Sequence, residues 1–112
     1  MASIEELVSL SHKIAKEKGW HEEKNSASFP ENVALLHSEI SEALEQYRCG
    51  KLVDEVYYSE EGKPEGIPVE LADVCIRIFD LCGKYNIPLE KIIKEKIEFN
   101  KTRSFRHGNK RI

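Results

Sequence analysis

The chain has 112 residues, of which 33% are charged and 40% hydrophobic, with a formal net charge of -3. That length suits a single domain over residues 1–112 and is too short for two independent cores. The composition is that of a folded helical protein rather than a disordered one, and so small a charge gives no general attraction to polyanions.

The three cysteines, Cys49, Cys75 and Cys82, are an odd number without the spacing of a disulfide scaffold. Two helical turns separate Cys75 from Cys82, roughly 10 Å along an axis, too far to bridge within one helix. All three read as small apolar core residues in a reducing compartment. Ile4, Glu5 and Glu6 interrupt any apolar run that could open a signal peptide, and no later stretch approaches the length of a membrane span. The expected location is the cytoplasm, with no membrane and no nucleic acid polymer as partner.

In chain order, Ser3-Ile4-Glu5-Glu6 fits a capping box, so a first helix begins near Ile4. Leu7, Leu10, Ile14 and Ala15 recur at helical spacing, and Gly19 is a stop signal. Trp20 to Pro30 loses that period and concentrates Asn and Ser, which predicts a loop. Its Trp20 and Phe29 read either as packing anchors or as a wall against a flat ligand.

A second helix is expected from about Glu31 to Arg48, with Val33, Leu36, Ile40, Ala43, Leu44 and Tyr47 as its core stripe. Glu39 and Glu42 lie on the flank of that stripe, stacked one turn apart. Lys51 to Pro68 is a long polar connection whose VYY segment is a strand candidate, so the stretch either has a function or folds as a hairpin.

Val69 to Gly83 then reads as a helix apolar over most of its circumference, interrupted by Glu70, Asp73, Arg77 and Asp80. Such a helix is normally enclosed by others, which turns its acids into a cleft. A last helix starts at Pro88, uses Leu89, Ile92, Ile93 and Ile97, and frays beyond Lys101. Four helices on short connections predict an all-α, antiparallel four-helix bundle. The third helix has more apolar surface than three small neighbours cover, so a homo-oligomer, a homodimer or homotetramer, is expected.

The acids carry the chemistry. Glu39 with Glu42 and Glu70 with Asp73 are acid-x-x-acid pairs on two helices, and if those helices are neighbours their carboxylates share one pocket. Like charges that close require a cation. An all-oxygen set suits a hard ion, with Mg²⁺ the best match and Mn²⁺ a laboratory substitute. His37 projects away from Glu39, so the Glu-x-x-His signature of di-iron bundles is not met. A hard ion together with the acid-free basic run from Lys101 to Arg111 suggests hydrolysis of a phosphoanhydride, with Glu39 or Glu42 orienting the water or taking its proton. The basic run also reads as a solvated tail. The acids on the third helix have a plainer reading too, an intrahelical ladder in which Asp73 pairs with Arg77 four residues on.

HSEISEALEQYR, followed after a loop by PVELADVCIRIFDL, resembles the paired motifs of the MazG-like all-α nucleotide pyrophosphohydrolases, and FNKTRSFRHGNK is similar to the tail of several members. The likeness covers roughly Pro30 to Lys110. It implies a Mg²⁺-dependent enzyme that cuts a nucleoside triphosphate between the α and β phosphates, acting on non-standard or surplus nucleotides. It further implies Glu39, Glu42, Glu70 and Asp73 as metal ligands, and Arg77 as a substrate contact. Lys96, Asn100, Lys101, Arg103 and Arg106 become phosphate contacts, some across a subunit boundary, and Trp20 stacks on the base. Ser38 departs from the pattern, standing where many members carry a further acid. Two other readings compete: a nucleotide-binding regulatory module without useful turnover, and a purely structural helical bundle.

Overall fold

A computed structural model describes all 112 residues, and the chain is all-α apart from one small hairpin. Helix α1 is Ile4–Glu17, and its capping box forms: Ser3 Oγ accepts from the Glu6 amide at 3.1 Å, and the Glu6 carboxylate accepts from the Ser3 amide at 3.3 Å. Helix α2, Phe29–Arg48, starts on a second box built the same way by Ser28 and Glu31. Its start is therefore two residues earlier than Pro30 suggested, because proline is accommodated within a first helical turn and the serine before it supplies the cap. The two hydrogen bonds from Ser28 hold the Glu31 carboxyl below its ordinary range.

The long connection does form a hairpin. Strand β1, Tyr57–Tyr58, pairs antiparallel with β2, Pro64–Glu65, placing Tyr57 opposite Glu65. The Tyr57 hydroxyl donates to Gln46 Oε1 at 3.1 Å, fastening the hairpin to the end of α2. Gly66 then opens α3, Ile67–Lys84, with a φ of 122°, and a Cβ there would collide with the Glu55 carbonyl oxygen. Only glycine fits that conformation and that contact.

Helices α1 and α2 both pack along α3, while α4, Leu89–Lys101, rests chiefly on α1. Pro88 is the residue preceding α4 rather than its first, and the single turn α5, Arg106–Asn109, lies beyond the frayed end. Helix α1 approaches α3 closely at Gly83, where a Cβ would stand 2.5 Å from the His12 Cβ.

The enclosure expected for α3 is not met within one chain. Only Ala43, Gly66, Ile67 and Cys82 are buried. Leu71 and Ile76 on α3 are exposed, and on the α2 stripe Leu44 is 60% and Tyr47 61% exposed. Cys49 and Cys75, expected in the core, are exposed as well, leaving Cys82 as the one core cysteine. The burial of Cys82 raises its thiol pKa, as desolvation of a thiolate requires.

The dimensions agree with that openness. The radius of gyration is 16.8 Å, against about 13 Å for a compact domain of this length. The accessible surface is 9031 Å², against about 6,300 Å² for a compact monomer of this mass. No helix is long and apolar enough to cross a membrane.

Candidate metal centre

The two acid pairs meet because α2 lies along α3. Carboxylate oxygens of Glu39, Glu70 and Asp73 all lie within 4.8 Å of one another. At that separation two unit charges repel by about 3 kcal/mol for an effective dielectric near 20. Glu70 carries the clearest mark of this crowding. Its Oε2 is buried without a hydrogen-bond partner. Its pKa is raised, first by burial, then by interaction with the Glu42 carboxyl, and then by the charges of Glu42, Asp73 and Glu39.

Glu42 belongs to the site less directly than the other three. It stands beside Glu70 in a shallow groove shared with Glu45, Gln46 and Cys49, outside the tight cluster. The fourth predicted ligand thus reaches the site through Glu70 and is not one of the three mutually clustered acids.

Arg77 makes the one salt bridge to these acids, with its Nε donating to Glu39 Oε1 at 2.9 Å. The pairing crosses from α3 to α2, so the intrahelical Asp73–Arg77 ladder is not formed. Glu39 is the better buried partner, with 15% of its side chain exposed against 42% for Arg77. A cation side chain already rests on one of the three acids, yet Glu70 and Asp73 have no basic partner.

Two of these acids, Glu39 and Asp73, line a cavity of about 570 Å³, whereas Glu70 lines the shallow groove with Glu42. Arg77 lines the cavity as well, and so do Trp20, His21 and Asp80. Trp20 is 68% exposed, which removes the packing-anchor reading and leaves its ring available at the cavity wall. Phe29 is the half of that aromatic pair that packs, meeting the Tyr85 ring edge-on at 5.6 Å between centroids. The loop between α1 and α2 is held to α3 by Lys84, whose Nζ donates to Ser26 Oγ at 2.6 Å and to the Ala27 carbonyl at 3.2 Å.

The basic tail is elsewhere. Lys96 sits over the Phe99 ring, Lys101 pairs with Glu98 at 2.8 Å, and Arg106 donates to the Arg111 carbonyl. With Asn100 and Arg103 they are exposed on α4 and just beyond it, and none lines the cavity. Within one chain the structure does not bring these five to the acids.

His12, His21 and Asp80, the last two of which line the cavity, were not singled out as a site by sequence. His12 Nδ1 and His21 Nε2 both contact Asp80 Oδ1, at 2.9 and 2.7 Å. Asp80 was visible only as part of the charged stripe, and nothing local joins it to histidines 59 and 68 residues away.

Chemically, the three clustered carboxylates suit a hard divalent ion. They offer only oxygen donors, one of them is desolvated and unpartnered, and their mutual repulsion is relieved by positive charge. Mg²⁺ fits this donor set. Comparison of the chain with family models, with curated proteins and with solved structures finds no match.

Proposed function

We propose that this protein is a Mg²⁺-dependent nucleoside triphosphate pyrophosphohydrolase of the MazG-like type, releasing a nucleoside monophosphate and pyrophosphate. The observation that carries the reading is the convergence of Glu39, Glu70 and Asp73 from two helices beside a nucleotide-sized cavity. Those three, assisted by Glu42, would hold the ion. An ion held there would supply positive charge to neutralise phosphate and to acidify a nearby water.

The chain's own groups then divide the remaining work. Arg77 shifts from Glu39 to a phosphate oxygen, which a guanidinium binds as readily as a carboxylate. Glu39 or Glu42 accepts the proton of the attacking water. The water oxygen bonds to the α phosphorus, the bond from that phosphorus to the bridging oxygen breaks, and pyrophosphate leaves. Trp20, exposed at the cavity wall, stacks on the base.

The working unit in this proposal is a cytoplasmic homo-oligomer, a homodimer at least. A single chain exposes about 2,700 Å² more than a compact monomer of its mass, which exceeds the roughly 800 Å² per partner of a stable interface. A second copy on the exposed α2 and α3 residues would close the four-helix bundle. It would also supply the phosphate-contacting tail, Lys96, Asn100, Lys101, Arg103 and Arg106, from the other subunit.

The test is incubation with a panel of nucleoside triphosphates and Mg²⁺, with products resolved by phosphorus NMR. Monophosphate and pyrophosphate are expected in equal amounts, together with a dimer or tetramer mass by sedimentation. Nucleotide binding without products would support the regulatory module instead, and neither binding nor products would leave only the structural bundle.

A further inference from the structure

We infer that His12, His21 and Asp80 form a second cation site, suited to a divalent transition ion of the zinc class and separate from the hard-ion site of the carboxylates. The three side chains come from α1, from the loop after it and from α3, yet their ligand atoms lie within 4.8 Å of one another. Two ligands bound tetrahedrally at zinc distances stand about 3.4 Å apart. The nitrogens are 2.9 and 2.7 Å from Asp80 Oδ1, so a small outward shift of each ring makes room for an ion among them.

The ring geometry permits this. The imidazoles are tilted by 57° with centroids 4.9 Å apart, so they do not stack, and one nitrogen of each faces the same carboxylate oxygen. His21 Nδ1 is sealed from water without a partner, which leaves Nε2, the nitrogen facing Asp80, as its ligand atom. The side chains are 21%, 14% and 22% exposed, enclosed enough to order an ion and open enough to admit one with a water in the fourth position.

Donor chemistry separates this site from the first. Two imidazoles and one carboxylate suit zinc-class ions, whereas the all-oxygen cluster suits Mg²⁺. Asp80 lies seven residues beyond Asp73, roughly 10 Å along α3, so one ion cannot serve both. An ion at His21 would lock the loop that carries Trp20 against α3, beside the anchor that Lys84 already makes to Ser26.

The experiment titrates the full chain with Co²⁺ as a zinc surrogate, in millimolar Mg²⁺ to fill the carboxylate site. One equivalent should produce the intense visible bands of a tetrahedral cobalt centre without sulfur-to-cobalt charge transfer, which sets aside the exposed Cys49 and Cys75. It should also quench Trp20, the sole tryptophan of the chain. Zn²⁺ should displace the cobalt. Asp80→Asn and His21→Asn should each weaken binding by more than about 100-fold, beyond the loss usual for an outer-shell partner, while Glu70→Gln leaves it unchanged. His12 is spared because α1 meets Gly83 there. Weak octahedral bands in the wild type, or wild-type affinity in Asp80→Asn and His21→Asn, would overturn the inference. If either variant fails to fold, the wild-type spectrum decides alone. No nucleotide is present, so the result is independent of the hydrolysis test.

Discussion

Helix α3 carries two aspartates seven residues apart whose surroundings are opposite. Asp73 faces Glu39 and Glu70, so oxygen meets oxygen and charge accumulates. Asp80 faces two imidazole nitrogens, at 2.9 and 2.7 Å. The same residue type thus makes an electrostatically incomplete site towards the start of α3 and a nitrogen-lined one towards its end. Neighbours, rather than the acid itself, set which cation each end can take.

The sharpest way to break this contrast is to remove charge at the carboxylate end alone. Asp73→Asn or Glu70→Gln is expected to lower hydrolysis by about 10² to 10³-fold, since charge stabilisation by a bound ion contributes several kcal/mol and each 1.4 kcal/mol is tenfold. Asp80→Asn should cost far less, because Asp80 stands two turns along α3 from the carboxylate cluster. Initial rates for the three variants measure the difference, and equal losses at both positions would mean that the ends do not have separate roles.

Stability sharpens the comparison further, with a sign that reverses between conditions. The Glu70 carboxyl has a raised pKa, caused first by burial, so its neutral form is the one that suits the metal-free fold. Its contribution to stability is full below the ordinary glutamate value of about 4.3 and is lost as pH rises through the raised value. Metal-free wild type should therefore lose melting temperature on going from acid to neutral pH. Glu70→Gln should lose less and melt a few degrees higher at pH 7, since about 1 kcal/mol moves a domain of this size by roughly 4 to 8 °C. With Mg²⁺ at 100 times its Kd the wild type should gain about 2.7 kcal/mol and the variant little. Parallel melting curves with and without Mg²⁺ would count against an ion at these acids.

The legibility of the two ends in the sequence also differs, for a physical reason. The acid pairs repeat at i and i+3 on amphipathic helices, a local pattern that survives without coordinates. The Ser3 box and the apolar character of α3 are local in the same sense. The Ser28 box was equally local, but Pro30 drew the expected start towards itself. The histidine cluster had no local trace, because His12, His21 and Asp80 are joined only by the packing of α1 on α3 at Gly83. That Glu42 stands beside Glu70 but outside the tight cluster depends on rotamers, which periodicity does not reach. Within the α2 stripe Ala43 is core as read, whereas Ile40, Leu44 and Tyr47 were legible as apolar and misplaced as core, since a helical pattern reports an apolar face and not what covers it.

Arg77 tests whether the carboxylate end is shaped for substrate as well as for metal. Its guanidinium competes with any cation for Glu39. Arg77→Ala should therefore bind Mg²⁺ alone a few-fold more tightly and triphosphate about tenfold more weakly, the loss of one charge-assisted contact. Thermal stability should change by no more than about 1 kcal/mol, because the pair is partly exposed. Calorimetric titration of each ligand separately measures both affinities, and a fall in both would identify Arg77 as a structural support of Glu39.

The smallest effect should come from the tail, and in the proposed oligomer it depends on the second copy. Arg103 and Arg106 lie beyond α4, outside the cavity of their own chain, so in the proposed oligomer they would reach a bound phosphate in the partner's site. Arg103→Ala and Arg106→Ala should each weaken triphosphate binding a few-fold, as expected for an exposed charge, with the Mg²⁺-induced rise in melting temperature unchanged. Mixing gives the stronger readout. Glu70→Gln chains have an intact tail and a disabled acid site, and Arg103→Ala chains the reverse, so a mixed dimer contains one site assembled wholly from unaltered residues. If the tail serves the neighbouring subunit, the mixture exceeds the average of its two components in affinity and turnover at low nucleotide. If it serves its own chain or nothing, the mixture shows only the average of its components.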